Sequence, residues 1–103
     1  MRFVVIDRGP RFPIPPEQMP AIWQQFVAWR ERYRSRMESF EFFIGDGGGF
    51  GVVDVDSAEE LQQMMIEYPF LMADQVEVKA IADGDASLRQ WGEAFQAMAG
   101  ASG

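Results

Sequence analysis

The sequence has no cysteine and no histidine. The first absence excludes a disulfide framework and thiol chemistry. The second removes the commonest general base and the commonest transition-metal ligand. With them goes any Ser-His-Asp or Cys-His nucleophilic site. No apolar run approaches the ~18 residues of a membrane-spanning helix, and the stretch after Met1 reads as a strand rather than a secretion signal. Positive charge is scarce, with 9 Lys and Arg against 16 Asp and Glu and a net charge of −7. Nucleic acid and anionic membrane surfaces both demand a basic face, so neither is expected as a partner. A cytoplasmic protein is the default expectation.

What is present is a globular composition. Of 103 residues, 48% are hydrophobic and 14% aromatic, enough for one domain with its own core. Residues 1–103 read as that single domain, with 100–103 as a frayed tail. The most legible stretch runs from Phe50 to Phe70. Phe50–Val55 is β-branched and aromatic and follows Gly47–Gly49, so it reads as a strand entered through a turn. Ser57 stands where an N-cap belongs, and Glu60 completes a capping box. Leu61, Met64, Met65 and Tyr68 fall at helical spacing, and Pro69 stops the helix.

The other elements follow in order. Arg2–Asp7 is a nearly continuous apolar run that suits a central strand. Arg8–Pro16 carries four prolines and a glycine and reads as a stiff extended loop. From about Glu17 to Glu38 an apolar stripe of Met19, Ile22, Trp23, Phe26, Trp29 (or Arg30), Tyr33 and Met37 predicts a helix, with Pro20 confined to its first turn. Arg30, Arg32, Arg34 and Arg36 crowd its end, as a solvated face or as a docking surface for an acidic partner. Phe40–Asp46 is a second strand. Gly45–Gly51 then joins two strands, so it reads as a hairpin turn rather than a phosphate loop. Asp74–Ala82 alternates with Val76, Val78 and Ala80 on one face, a strand covered on one side only. After a turn at Asp83–Asp85, Leu88, Trp91, Phe95 and Met98 mark a short third helix ending at Gly100.

The order β-α-β-β-α-β-α predicts an α+β fold, a ferredoxin-like βαββαβ unit with an extra C-terminal helix. Right-handed crossovers put the first two helices on one face of a four-stranded sheet. The bare face implies sheet-to-sheet packing against a second copy, a homodimer or higher assembly. The third helix is expected to cover an edge or clasp the partner.

Val53–Val55, Ser57, the Glu59–Leu61 helix start, Tyr68–Phe70 and Val76–Val78 together resemble the muconolactone isomerase family of the dimeric α+β barrel superfamily. The Arg2–Ile6 strand and the proline-bearing loop also fit. The likeness spans residues 1–82 in topology and about 30 residues in motif. It implies a dimer or larger ring, no cofactor, and an enzyme that shifts a proton beside a carbonyl on a small lactone. The family carries histidines on the first strand and near the second, where this sequence holds residues such as Val4 and the Gly45–Asp46 region. The third helix is a further departure.

Without His or Cys, proton transfer falls to carboxylates and tyrosines. A carboxylate in an aromatic pocket has its pKa raised toward neutrality by desolvation. The candidates are Glu77, Asp54, Glu41 and Asp7, with Tyr33 or Tyr68 to orient a carbonyl. Each carboxylate also has a purely structural reading: a strand-end acceptor for Asp54, a Lys79 partner for Glu77, a turn cap for Asp7, an exposed strand residue for Glu41. Trp23, Phe26, Phe43, Phe50 and Tyr68 are candidate substrate-binding residues, although aromatics are more often plain core. No metal is expected, since Asp83-Gly-Asp85 lacks the remaining spacing of a calcium loop. The expected function is a cofactor-independent isomerase, cyclase or lyase on a small, mostly apolar carbonyl compound. The alternatives are a cofactor-free monooxygenase on an aromatic polyketide-like substrate and a non-catalytic dimeric binding module.

Overall fold

The computed structural model describes residues 1–102. The chain runs β1 (Arg2–Pro10), α1 (Met19–Arg32), β2 (Met37–Phe42), β3 (Gly49–Asp54), α2 (Ala58–Ile66), β4 (Asp74–Ile81) and α3 (Gly84–Ser102). The four strands form one sheet in the order β2-β3-β1-β4, with every neighbouring pair antiparallel. This is the ferredoxin-like arrangement predicted by the element order, with α3 added.

The capping signals behave as expected. The Ser57 hydroxyl accepts from the Glu60 N–H at 3.1 Å, and a Glu60 carboxylate oxygen accepts from the Asp56 N–H at 3.0 Å. Pro20 sits in the first turn of α1, where its missing N–H costs nothing. The Asp83 carboxylate accepts from the Ala86 N–H at 2.9 Å. It therefore caps α3, and the expected turn at Asp83–Asp85 is the start of the helix.

Several boundaries differ from the sequence reading: β2 stops at Phe42, short of Asp46, and α2 stops at Ile66, short of Tyr68. Strand β1 continues to Pro10, with its register against β4 shifting between Asp7 and Pro10. Helix α1 ends at Arg32, and Met37 opens β2 opposite Val53. Met37 falls at helical spacing and also on the core-facing side of a strand, so periodicity could not separate the two; pairing to β3 decides. Helix α3 continues through Gly100 to Ser102. Of the expected frayed tail, Gly103 lies outside the described residues.

Helices α1 and α2 cover one face of the sheet. The core between them comprises Phe26, Trp29, Val53, Val55, Leu61, Met64, Met65, Tyr68 and Phe70. Phe26 is its hub, with ring contacts to Trp23, Trp29, Phe40, Phe42, Tyr68 and Phe70. The Trp29 indole N–H donates to the Met64 carbonyl at 2.9 Å, which ties α1 to α2.

Strand pairing fixes what lies on each face. Phe3, Val5 and Asp7 of β1 pair with Val53, Gly51 and Gly49 of β3 and with Ala80, Val78 and Val76 of β4, so all of these look toward the helices. Val4 and Ile6 look the other way, beside Val52 and Phe50 of β3 and Lys79 and Glu77 of β4. That outer face is bare in a single chain.

Helix α3 leaves the body as an arm. The radius of gyration is 18.1 Å and the longest extent 66 Å, against roughly 13 Å for the radius of a compact domain of this length. Leu88, Trp91, Phe95 and Met98 are all more than half exposed, so α3 does not cover a sheet edge of its own chain.

Candidate active site

Between the helices and the inner sheet face lies a cavity of about 440 Å³. This is within the usual range for a small-molecule site, roughly 300–1,000 Å³. Its walls are largely aromatic: Trp23, Phe26 and Trp29 from α1, Phe40 and Phe42 from β2, and Tyr68 and Phe70 from the segment after α2. Gly47, Gly48, Gly49 and Gly51 form the wall on the hairpin side. Gly48 is there of necessity, because a Cβ at that position would collide with the Asp7 carbonyl.

Three polar side chains meet in this cavity: Asp7, Tyr68 and Asp74. Asp7 is on the inner face of β1, opposite Val76. Asp74 precedes Val76 by two residues, so it projects from the same face as a diagonal neighbour of Asp7. Tyr68 reaches the pair from the turn that follows α2, which ends at Ile66, with Pro69 next in the chain barring any continuation of the helix. Its hydroxyl donates to Asp7 Oδ2 at 2.6 Å. The Gly9 N–H donates to Asp7 Oδ1 at 2.8 Å, with Gly9 held at φ +95° inside the β1 irregularity. That irregularity both interrupts the ladder and supplies the donor that fixes Asp7.

All three groups are nearly inaccessible, with Asp7 8%, Asp74 4% and Tyr68 9% exposed. Burial, helped by a hydrogen bond with Asp7 and by its charge, pushes Asp74 up to about 7. Asp74 Oδ1 has no hydrogen-bond partner, so nothing in the protein offsets a charge placed there. Burial, then the hydrogen bond and charge of Asp7, push the Tyr68 phenol well above its ordinary range and keep it a donor. Two carboxyls side by side in an apolar cavity share a proton readily, because only one can be charged cheaply. The arrangement can therefore accept or return a proton near neutral pH without histidine.

Of the sequence candidates, Glu41 and Phe50 only border this cavity, since they pair with each other in the outward-facing register, while Asp7, Trp23, Phe26 and Tyr68 line it with their side chains. Asp54, Glu77, Tyr33 and Phe43 do not. Glu77 is on the outer face in an ion pair with Arg8 at 2.8 Å. Its hydrogen bond with Arg8, and the charge of Arg8, hold its pKa below the usual range, the opposite of what a general base needs. Asp54 lies 3.4 Å from the N-terminal ammonium and is exposed. The Tyr33 ring packs against Trp29, and Phe43 packs against Phe50. Asp74 was absent from the sequence candidates. The signal existed, since the alternation that turns Val76 and Val78 inward also turns Asp74 inward.

The arginines at the end of α1 are engaged within the chain. Arg32 pairs with Glu67, Arg34 with Glu31, and Arg36 with both Asp56 and Glu60. The Arg30 guanidinium lies 4.7 Å from the centre of the Phe40 ring. Among the described residues, no cluster of three or more acidic side chains is set to hold a metal ion, and no helix is long and apolar enough to cross a membrane.

No family model and no curated protein matches the chain. Solved structures do match its fold. It is similar to muconolactone isomerase, with a TM-score of 0.69 and 18% identity over 81% of this chain and 90% of that one. It is also similar to a 5-chloro-2-hydroxyhydroquinone dehydrochlorinase from Burkholderia phenoliruptrix, solved in complex with 2,5-dihydroxybenzoquinone. There the TM-score is 0.61 and the identity 16%, over 82% of this chain and 97% of the other. At these identities the shared property is the fold, a muconolactone isomerase-like α+β unit. About a fifth of this chain is left unmatched, a share equal in size to α3.

Proposed function

We propose that the protein is a cofactor-independent isomerase or lyase that moves a proton beside the carbonyl of a small, mostly apolar compound. The observation that carries this reading is the buried Asp7–Asp74–Tyr68 group inside an aromatic cavity. Asp74, balanced near neutrality, takes the proton from the carbon next to the carbonyl. The C–H electron pair moves into an enolate, and the new Asp74 acid hydrogen-bonds to it. Return of the proton at a different carbon completes an isomerisation. Departure of a β-substituent with its bonding electrons makes the same enolate the intermediate of an elimination. Tyr68 and Gly9 position Asp7, and burial, with Asp7 alongside, raises the proton affinity of Asp74. The fold neighbours act on small ring compounds by name, one as an isomerase and one as a dehydrochlorinase, which supports this pair of reaction types.

The test is deuterium exchange. Enolisable cyclic ketones and unsaturated lactones are incubated with the protein in heavy water and followed by proton NMR. The expected result is loss of the signal beside the carbonyl faster than in buffer, suppressed in Asp74→Asn. Compounds that bind but exchange only at the buffer rate would overturn the reading. Oxygen uptake instead of exchange would favour the monooxygenase alternative.

The bare outer face, with Val4, Ile6, Phe50 and Val52 in its centre, is where we place a second copy, sheet against sheet. Sedimentation equilibrium at micromolar concentration checks this, and a monomer there would refute it.

A further inference from the structure

The charged side chains that line the cavity are all of one sign. The acids whose side chains lie inside it are Asp7 and Asp74, with exposed Asp46 at its rim on the hairpin; Glu41 borders it through its backbone and faces outward beside Phe50, and no lysine or arginine lines it. Two of these acids are already engaged by donors of the protein itself. Asp7 accepts from Tyr68 and Gly9, and Asp46 Oδ1 accepts from the Gly48 N–H at 3.1 Å. A carboxylate entering this space leaves water, finds no counter-charge, and faces like charges at short range. An ammonium group finds rings to sit on, but Asp7 is already engaged by Tyr68 and Gly9, and Asp74 pairs with a cation only once it has given up its own proton.

From the lining residues we infer that the cavity selects uncharged, flat ring compounds bearing a hydroxyl or an enolisable carbonyl and rejects carboxylates. This rests on the proposed function for the location of the site and sharpens its substrate class. The aromatic walls supply the contact area, while the acids impose the charge filter. The balance of Asp74 near neutrality strengthens the filter with rising pH. As Asp74 loses its proton, the cavity gains a negative charge, and a ligand carboxylate is disfavoured further.

The experiment is isothermal titration with three matched ligands that share a ring and a hydroxyl: para-hydroxybenzyl alcohol, para-hydroxybenzoate and para-hydroxybenzylamine. At slightly alkaline pH the alcohol is expected to bind at least about tenfold more tightly than the benzoate, a difference of about 1.4 kcal/mol. Asp74→Asn should narrow that ratio by removing the charge and keeping the shape. Asp46→Asn, at the hairpin turn, provides a second variant if the first fails to fold. Equal or tighter binding of the benzoate overturns the inference. Tighter binding of the amine overturns it in favour of an organic cation. Failure of all three to bind at millimolar concentration also overturns it, because a ring-sized aromatic cavity must retain some affinity for rings. The two readings fail separately: selective binding without proton exchange defeats only the proposed function, and exchange on keto acids defeats only the charge filter.

Discussion

The two faces of the sheet use the same residue types to opposite ends. The outer face carries Glu77 and Asp54, the first half-buried, the second exposed, and each beside a positive charge. The inner face carries Asp7 and Asp74, each nearly inaccessible and beside each other rather than a cation. On β4 the two environments are three residues apart. Solvent and a guanidinium keep Glu77 an ordinary anion; an aromatic ceiling and a neighbouring carboxylate make Asp74 a group that exchanges a proton near neutrality. Strand position sets the chemistry of a carboxylate in this fold, and residue type alone does not.

The comparison predicts effects of very different size. Replacing Asp74 with Asn should remove the proton-transfer step and lower turnover by about 10²–10⁴-fold, measured as exchange or product formation at saturating substrate. Circular dichroism should show the fold retained. Phe26→Ala strikes the packing that builds the inner environment. Loss of a ring with six aromatic neighbours should cost about 3–5 kcal/mol of stability in urea unfolding, as for other buried aromatic truncations.

A smaller effect separates the two faces by pH. The fold raises the proton affinity of Asp74 from 3.8 to about 7, so between those values the folded chain holds a proton that the unfolded chain has lost. The stability from this group is full below the lower value and is lost as pH rises through the upper one. The gap in urea midpoint between the natural protein and Asp74→Asn should therefore move against the natural protein as pH rises from weakly acidic to weakly alkaline. A gap that is constant over that window would remove the buried-acid account. At the small end, Glu77→Gln and Asp54→Asn should leave turnover unchanged, since neither side chain lines the cavity and both pairs are solvated. A large loss of turnover in either variant would mean that the outer face contributes to the chemistry.

Much of the fold was legible in the sequence because several local rules agreed. Ser57 and Glu60 set the start of α2 and the glycines the hairpin, whereas α2 ends at Ile66, two residues before Tyr68 and three before Pro69. The α1–β2 boundary was not legible, because Met37 satisfies a helix stripe and a strand face equally. The cavity was half legible. The aromatic stripe of α1 and the position of Asp7 at the end of an apolar strand pointed to it. Asp74 was hidden because a charged residue at the first position of a strand reads as an end residue. Only the register, with Asp7 opposite Val76, shows that it meets Asp7. Glu77 and Asp54 carried motif resemblance, but their neighbours Arg8 and the N-terminal ammonium are distant in sequence. Their neutralisation is a property of the pairing and not of the pattern.

The central claim is that Asp7 and Asp74 form one buried proton-sharing pair. Carbon-13 NMR of aspartate carboxyls across pH tests it most directly, with Asp7→Asn and Asp74→Asn for assignment. The account predicts a carboxyl signal that titrates near neutrality, disappears in Asp74→Asn, and shifts toward the ordinary range when Asp7 is replaced. If every aspartate carboxyl instead titrates in the ordinary acidic range, the pair does not share a proton and the proposed chemistry has no base.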